Sequence, residues 1–236
     1  MRVSDGCDLD KPVAGLYGAP GSVMNVLIVG AGGHGQVVAD ILLCAYRAGS
    51  VAVPVGYLDD DPQHHGQARL GLRVWGPLEH IDAVSHDAVI LAIGNNRARQ
   101  VLYERLEGRG ERFATAIHPR SILASDVSIG PGSMVCAGAI VNPGSVVGAN
   151  VILNTGCTVD HHNRIGDHVH VAPGAHLGGN VTIGTGVLVG IGAIVMPQRQ
   201  VGEWCVVGAG AVVTKDIPAN MIAVGVPARP LERNRE

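Results

Sequence analysis

Residues 153–177 read LNTGCTVDHHNRIGDHVHVAPGAHL, and from Leu153 onward every sixth side chain is aliphatic. The same spacing runs unbroken through seventeen positions, each of which is isoleucine, leucine or valine. They are Ile117, Leu123, Ile129, Val135, Val141, Val147, Leu153, Val159, Ile165, Val171, Leu177, Ile183, Val189, Val195, Val201, Val207 and Val213. A strict period of six fits neither an amphipathic helix, at about 3.6 residues per turn, nor the two-residue alternation of an ordinary strand.

A triangular parallel β-helix satisfies this period. Each hexad forms one short face and one corner, so three hexads complete a coil of 18 residues. We expect the aliphatic side chains to point inward and the coils to stack at about 4.8 Å, the usual strand separation. Small residues such as Ala139 and Cys157 often precede the aliphatic by two positions, and glycine often follows it directly. This pattern predicts an all-β domain over residues 116–217, followed by a tail at 218–236.

The part before the repeat has the pattern of an α/β domain. Residues 24–30 (MNVLIVG) predict a buried strand, and residues 51–60 and 87–94 predict two more. A helical stretch follows the first strand and another follows the last. Strands alternating with helices indicate a Rossmann-like arrangement over residues 24–115.

The turn after the first strand reads GAGGHG and matches the GxGxxG motif at Gly30, Gly32 and Gly35. Backbone N–H groups at such a helix start suit a phosphate or a pyrophosphate. Asp59 and Asp60 end the second strand, where they suit ribose hydroxyls or another polar group. The motif alone leaves three readings open: a dinucleotide site, a nucleotide-sugar site, or a tight turn without a ligand.

Composition and charge narrow the class of protein. The formal net charge is −3 and there are only two lysines, so no electrostatic footprint for nucleic acid exists. The five cysteines are scattered and never spaced as CxxC, which favours a reducing cytoplasm over a disulfide framework or a zinc ribbon. Residues 1–23 predict a disordered leader and not a signal peptide. No apolar run reaches the roughly 18–20 residues needed to span a membrane.

Five histidines lie inside the repeat: His161, His162, His168, His170 and His176. Histidine, with an ordinary pKa near ~6.5, suits the removal of a proton from an amine or hydroxyl nucleophile. With coils of 18 residues, His161 stacks under Gly179, which leaves open space above it. The other histidines of the chain, apart from His34 in the glycine-rich turn, are interpreted mainly as ordinary surface residues.

The motifs GAGGHG, YLDD, AIGNN, AIHP, NTGCTVDHHNRIGDHVHVAPGA and GVPAR occur here in the order seen in a known family. Over about residues 25–230 the chain resembles the NeuD/PglD-like bacterial sugar O-/N-acetyltransferases. The resemblance implies a left-handed β-helix, a homotrimer, acetyl-CoA bound between adjacent β-helices and a nucleotide-activated amino sugar bound by the N-terminal domain. It favours N-acetylation of a 4-amino group, with sialic-acid-type O-acetylation as the alternative, in the synthesis of surface glycans or glycoprotein sugars.

The resemblance also implies roles for individual residues, carried over by position. His161 looks like the general base. The acetyl-CoA contacts are His170, Gly179, Ile191 and Ala209, and the nucleotide-sugar contacts are Gly32, Gly33, His34, Asp59, Asp60 and Gly94. No metal ligand is implied.

One position departs from the family pattern. The family usually has an acid directly after the base, which orients and polarises the imidazole. His162 occupies that position here. Candidates for supporting the base are therefore His162, Asp160, a neighbouring subunit or water.

Three other classes of protein share single features of this sequence. A γ-type carbonic anhydrase shares the β-helix and binds a metal with three histidines across a trimer interface, but the N-terminal domain has no use in that reaction. An NAD-dependent oxidoreductase rests on the glycine motif alone. A non-catalytic scaffold for trimerisation needs none of the histidines. The sequence does not specify the sugar or its nucleotide.

Overall fold

The computed structural model describes residues 23–232. All but the last residue of the predicted leader, and the final four residues of the chain, lie outside this range. The N-terminal elements are β1 (Met24–Val29), α1 (Gly33–Arg47), β2 (Ala52–Leu58), β3 (Ala68–Arg69), β4 (Leu72–Arg73), β5 (Ala88–Leu91) and α2 (Asn96–Glu107). Two 3₁₀ helices span Pro62–His64 and Leu78–Ala83.

The main N-terminal sheet has three parallel strands in the order β2-β1-β5. Val26, Leu27 and Ile28 of β1 are fully buried, because both faces of a parallel sheet are covered. β3 and β4 form a separate antiparallel pair. Within the described residues, no helix is long and apolar enough to cross a membrane.

The repeat folds into a parallel β-helix of about six coils. Its strands are β6 (Ala116–Ile117), β7 (Ile122–Leu123), β8 (Ser128–Ile129), β9 (Met134–Val135), β10 (Ile140–Val141), β11 (Val146–Val147), β12 (Ile152–Leu153), β13 (Thr158–Val159), β14 (Arg164–Ile165), β15 (His170–Val171), β16 (His176–Leu177), β17 (Thr182–Ile183), β18 (Leu188–Val189), β19 (Ile194–Val195), β20 (Gln200–Val201), β21 (Val206–Val207) and β22 (Val212–Val213). Paired residues differ by 18, as in Val141 with Val159, which confirms the predicted register.

The strands form three faces, which are named here in chain order. Face 1 contains β6, β9, β12, β15, β18 and β21; face 2 contains β7, β10, β13, β16, β19 and β22; face 3 contains β8, β11, β14, β17 and β20. Corner 1/2 joins faces 1 and 2, and corners 2/3 and 3/1 follow. His161 lies at corner 2/3, His168 at corner 3/1, and His170 and His176 on faces 1 and 2.

The interior of the β-helix is filled by the predicted aliphatic side chains. From Val135 to Val213 all of them are buried. Ile117, Leu123 and Ile129 of the first coil are only partly buried, because no coil stacks beneath them. Small residues such as Ala139 and Cys157 are fully buried beside the corners.

The N-terminal domain packs on face 1 and on corner 3/1. Met134 and Ile152 of face 1 belong to the same apolar cluster as Val38 and Ile41 of α1. At corner 3/1, the Asn96 side chain donates to the carbonyls of Gly186 and Val187 (both 3.1 Å). Corner 2/3 is therefore on the opposite side of the triangle from the N-terminal domain. One face separates it from corner 3/1, a distance on the order of 15 Å at a rise of about 3.3 Å per residue.

Two further strands follow the repeat. β23 (Met221–Val224) pairs in parallel with β21 and extends face 1, and β24 (Arg229–Glu232) pairs antiparallel with β23. The segment predicted as a tail thus contains a hairpin, in which Ala223 and Ala228 pack against the β-helix core.

Candidate functional site

The glycine-rich turn connects β1 to α1. Gly30 has φ +107, and a Cβ added to Gly35 would collide with the Gly30 carbonyl, so both positions require glycine. Gly32 and Gly33 instead face open space. Gly32 is the N-cap of α1 and no side chain caps the helix. The first N–H groups of α1 are therefore available to an anion.

The two acids after β2 accept hydrogen bonds from the backbone, and Asp59 stabilises this turn. Asp59 accepts hydrogen bonds from the backbone N–H groups of Ala31 (2.6 Å) and Asp61 (2.9 Å). Burial alone raises its pKa, but these bonds and the contact with His64 outweigh burial and lower the pKa of Asp59. Asp60 accepts from Leu78 N–H (2.8 Å). Both acids line a cavity of about 330 Å³ together with Gly30 and Gly32.

His34 reaches from this turn to face 1, where it meets His170. The two ring centroids are 6.5 Å apart. His170 Nε2 lies 3.1 Å from the Asn154 amide nitrogen, and its ring also forms a hydrogen bond with the Gly94 backbone. Burial, followed by the positive charge of Arg99, lowers the pKa of both histidines to about 4. Both are neutral at physiological pH.

Arg99, which sequence reasoning missed, connects the two domains. It is fully buried, and burial lowers its pKa to about 10. Its guanidinium donates to the carbonyls of Asn150 (3.2 Å), His168 (2.8 Å) and Ile93 (2.9 Å). No salt bridge to Arg99 occurs among the described residues. Only its place in AIGNNRAR, directly after the third strand, hinted at this role.

The predicted base lies at the exposed corner 2/3. His161 Nδ1 is 3.0 Å from His162 Nδ1, and the ring planes are 80° apart. Asp160 does not contact the His161 ring. Its Oδ1 accepts from the His161 backbone N–H (2.7 Å) and from the Asn142 side chain (3.0 Å). The Asn142 bond first, and then the backbone bond, lower the pKa of Asp160.

Gly179 lies directly over the base, as predicted. A Cβ added there would lie 2.5 Å from His161 Nε2, so only glycine leaves room for this ring. Because Gly178 has no side chain to cap it, the Gly179 N–H has no hydrogen-bond partner among the described residues. A free N–H group beside an imidazole is a suitable donor to a developing oxyanion.

Two of the other predicted acetyl-CoA residues lie across face 2 from this corner. Ile191 and Ala209 are at corner 1/2, one coil apart. Between the two corners, face 2 carries a cavity of about 330 Å³, lined in part by Asp160, His176 and Met196. Gly179, Ile191 and Ala209 thus border one face, whereas His170 lies around corner 1/2 on face 1.

The structure therefore assembles the predicted residues into two groups. His34, His170 and Gly94 lie together between the domains, next to the cavity at Asp59 and Asp60. His161, His162 and Gly179 lie at corner 2/3, on the other side of the β-helix. Within one chain the two groups do not meet.

One cluster outside these groups has the residue types of a metal site. Asp40, Cys44 and His118 place their ligand atoms within 4.8 Å of one another. However, His118 Nδ1 accepts from the Arg120 backbone N–H (3.0 Å), so the hydrogen of the neutral ring is on Nε2. Neither nitrogen is then free to bind a metal.

Two family models match the chain. The PglD N-terminal domain matches residues 25–106, and the bacterial transferase hexapeptide model, with six repeats, matches residues 180–215. Among curated proteins, galactoside O-acetyltransferase from Escherichia coli is 46% identical over 41 residues, which are 17% of this chain and 20% of that protein. The chain thus spans about a fifth of the length of the curated relatives it matches.

Solved structures match over nearly their whole length. The acetyltransferase domain of PglB from Neisseria gonorrhoeae, in complex with acetyl coenzyme A, is 36% identical with a TM-score of 0.81, covering 89% of this chain and 100% of that one. PerB from Caulobacter crescentus, in complex with CoA and GDP-perosamine, is 35% identical with a TM-score of 0.79, covering 90% of this chain and 98% of that one. The predicted fold class, acetyltransferase class and co-substrate are confirmed by these relatives. The chain belongs to the NeuD/PglD-like family of hexapeptide-repeat sugar acetyltransferases.

Proposed function

We propose that the protein transfers the acetyl group of acetyl-CoA to the 4-amino group of a nucleotide-linked sugar, with His161 as the general base. One observation carries the proposal: Nε2 of an exposed histidine lies directly under Gly179, and the residues that precede these two in the chain, Asp160 and Gly178, line the cavity on face 2. A base at the edge of a groove reaches a bound thioester, and the free N–H of Gly179 is next to it.

The chemistry follows from these groups. The sugar nitrogen attacks the thioester carbonyl carbon, while His161 Nε2 takes the proton that the nitrogen loses. The carbonyl electrons move to oxygen, where the Gly179 N–H stabilises the charge. The tetrahedral intermediate collapses, the carbon–sulfur bond breaks, and the CoA thiolate receives the proton from the imidazolium. General base catalysis of this kind contributes about 10²–10⁴-fold to the rate.

The acceptor is held by the N-terminal domain in this proposal. The open amides at Gly32 and Gly33 suit the diphosphate of a nucleotide sugar, and PerB binds GDP-perosamine. Asp59 acts mainly by holding the turn and Asp60 by holding the backbone at Leu78, since their carboxylates accept these hydrogen bonds. His34 and Gly94 lie where the sugar end of the ligand would extend toward face 1.

The active enzyme is a homotrimer in this proposal, because one chain separates the acceptor domain from the base. The N-terminal domain covers face 1, and His161 is at the opposite corner. A neighbouring β-helix that presents its corner 2/3 to the acceptor cleft completes the site. Ile122, Ile194 and Met196 on or beside face 2 are exposed in the single chain and provide an apolar surface for this contact.

A sugar hydroxyl is the second candidate acceptor, since the chain also matches galactoside O-acetyltransferases. The same base and groove serve both reactions. The 4-amino sugar remains our first choice, because PerB resembles the chain over both domains, whereas the galactoside enzymes match over only about 40 residues.

For localisation we propose the cytoplasm. Cys44, Cys136 and Cys157 are free thiols, and burial raises the pKa of Cys136 and of Cys157 to about 12. Thiols in this state are typical of a reducing compartment.

The test is release of the CoA thiol from acetyl-CoA in the presence of UDP- and GDP-linked sugars. The panel pairs each 4-amino sugar with the corresponding 4-hydroxy sugar. Release with amino sugars alone supports N-acetylation, and release with hydroxy sugars alone supports the second candidate. Absence of release with every acceptor, for a protein that is folded and trimeric, contradicts the proposal.

A further inference from the structure

The contact between His161 and His162 is compatible with two tautomeric arrangements of the rings. Two Nδ1 atoms 3.0 Å apart share a single hydrogen when both rings are neutral. If His161 holds this hydrogen, its Nε2 is unprotonated and free to act as a base. If His162 holds it, His161 carries its hydrogen on Nε2 and is unable to accept a proton there.

Nearby acids do not determine which of the two rings holds the hydrogen. Asp160 Oδ1 accepts from the His161 backbone N–H and from Asn142, and among the described residues no hydrogen bond joins the Asp160 carboxylate to the His161 ring. Asp126, below His162, accepts from the Gly144 N–H (2.9 Å). In the coil above, Asn180 is neutral and donates its backbone N–H to the His161 carbonyl (2.9 Å). Among the described residues, no carboxylate forms an ion pair with either ring.

The backbone holds the His162 ring in place. His162 has φ +57, in the left-handed region that few non-glycine residues adopt. The equivalent residue one coil below is Gly144, and a Cβ added there would lie 2.7 Å from Cδ2 of His162. The ring thus fits a space that the missing side chain of Gly144 leaves open.

We propose that His162 is a positioning residue: its Nδ1 accepts the Nδ1 hydrogen of His161, so that His161 presents an unprotonated Nε2 beneath Gly179. The inference rests on the proposed function and concerns its base. In this arrangement a neutral imidazole takes the place that a carboxylate has after the base in the resembled family. A carboxylate only accepts, whereas His162 must keep its own hydrogen on Nε2 to accept at Nδ1, and it stabilises the imidazolium less than a negative charge does.

Three substitutions that suit a positive φ separate positioning from folding. His162→Gly removes the acceptor without backbone strain. His162→Asn places an amide oxygen where Nδ1 was, and His162→Asp places a charged oxygen there. We expect kcat to fall about 10–100-fold for the glycine variant, with KM for acetyl-CoA unchanged, since orienting the base is part of its 10²–10⁴-fold contribution. We expect the asparagine variant to retain activity within about 3-fold.

The aspartate variant adds a signature in the pH profile. A carboxylate beside the base stabilises protonated His161, so we expect the acidic limb of the kcat/KM profile to move to higher pH. Asp160 and Asp126 are unchanged in all three variants. Equal activities for the glycine and asparagine variants would mean that His162 has only a structural role, and would overturn the inference.

The tautomer itself is measurable without any sugar. In ¹⁵N NMR of histidine-labelled trimer, we expect His161 to carry its hydrogen on Nδ1 in the wild type and in His162→Asn, but on Nε2 in His162→Gly. A hydrogen on Nε2 in the wild type would overturn the inference even if the enzyme is active. A hydrogen on Nδ1 in a wild-type protein that acetylates no sugar would leave the inference standing and sink the proposed function.

Discussion

The molecule contains two pairs of histidines in opposite environments. His161 and His162 are exposed at corner 2/3, and their rings meet through Nδ1. His34 and His170 are enclosed between the domains, where burial and Arg99 lower the pKa of each to about 4. The exposed pair is placed to exchange a proton with a substrate. The buried pair stays neutral and provides hydrogen bonds and packing.

The difference shows that the residue type alone does not assign a role. Both pairs stand in the stretch of motifs that resembles the family, and both contain a predicted site residue. What separates them is access to water and the charge of the neighbours. Four predictions test this contrast.

Removing the base has the largest expected effect. His161→Ala should lower kcat by about 10²–10⁴-fold, the usual contribution of a general base. The oligomeric state and the thermal unfolding should be unchanged, because the side chain is exposed. Thiol-release kinetics and size-exclusion chromatography measure the two. A variant with normal kcat would show that the proton is removed elsewhere.

Removing Arg99 should act on stability. Arg99→Met leaves buried carbonyls of Asn150 and His168 without their donor, which we expect to cost about 3 kcal/mol of unfolding free energy. The matched control is Arg97→Met on the same helix. Arg97 is exposed and stacks on the Trp204 ring, so its loss should cost about 0.5–1 kcal/mol. Equal losses of unfolding free energy for the two variants, measured by urea unfolding, would argue against a special stabilising role of the buried Arg99.

The buried pair should make stability depend on pH. In the unfolded chain histidine has a pKa near 6.5, whereas His34 and His170 have about 4 when folded. The unfolded state therefore binds more protons than the folded state between pH 4 and pH 6.5. The stability that the neutral His34 and His170 contribute is complete above pH 6.5 and is lost as pH falls toward 4. Each histidine should cost at most about 1.4 kcal/mol between pH 6 and pH 5. In urea unfolding at several pH values, the free energy of unfolding of a His34→Gln/His170→Gln variant should depend less on pH than that of the wild type. An unchanged pH dependence would contradict the lowered pKa of these two histidines.

The space above the base is tested by Gly179→Ala. The added Cβ would lie 2.5 Å from His161 Nε2, so the ring must shift, and we expect kcat to fall about 10-fold because a misplaced base transfers protons poorly. In the His161→Ala background the same change should have no effect on residual activity or on CoA binding. A similar loss in both backgrounds would mean that the alanine blocks the substrate and not the base.

Much of the fold was predictable because it repeats. A period of six with inward aliphatic residues has a single register, and Val141 with Val159 lies at the expected spacing of 18. The Gly30 and Gly35 positions were predictable because a strand-to-helix turn needs close backbone contact. For the same reason, the position of His161 under Gly179 followed from counting residues.

The use of polar side chains was not predictable. The predicted ligand contacts of Asp59 and Asp60 stay a prediction, but their hydrogen bonds to backbone N–H groups of this chain were not foreseen. No pattern in the sequence singled out Arg99, yet it is fully buried. These outcomes depend on contacts between residues about 20 to 70 positions apart, which neither periodicity nor local motifs encode.

The 18-residue coil also limits how the chain can change in length. One residue inserted inside the repeat would rotate every later hexad out of phase and turn its aliphatic side chains away from the core. Six added residues preserve the phase but shift each later face by a third of a turn. Only a whole coil of 18 residues preserves both, and it lengthens the β-helix by about 4.8 Å. Natural variation in length should therefore come in whole coils or as bulges at the corners, leaving the geometry around His161 unchanged.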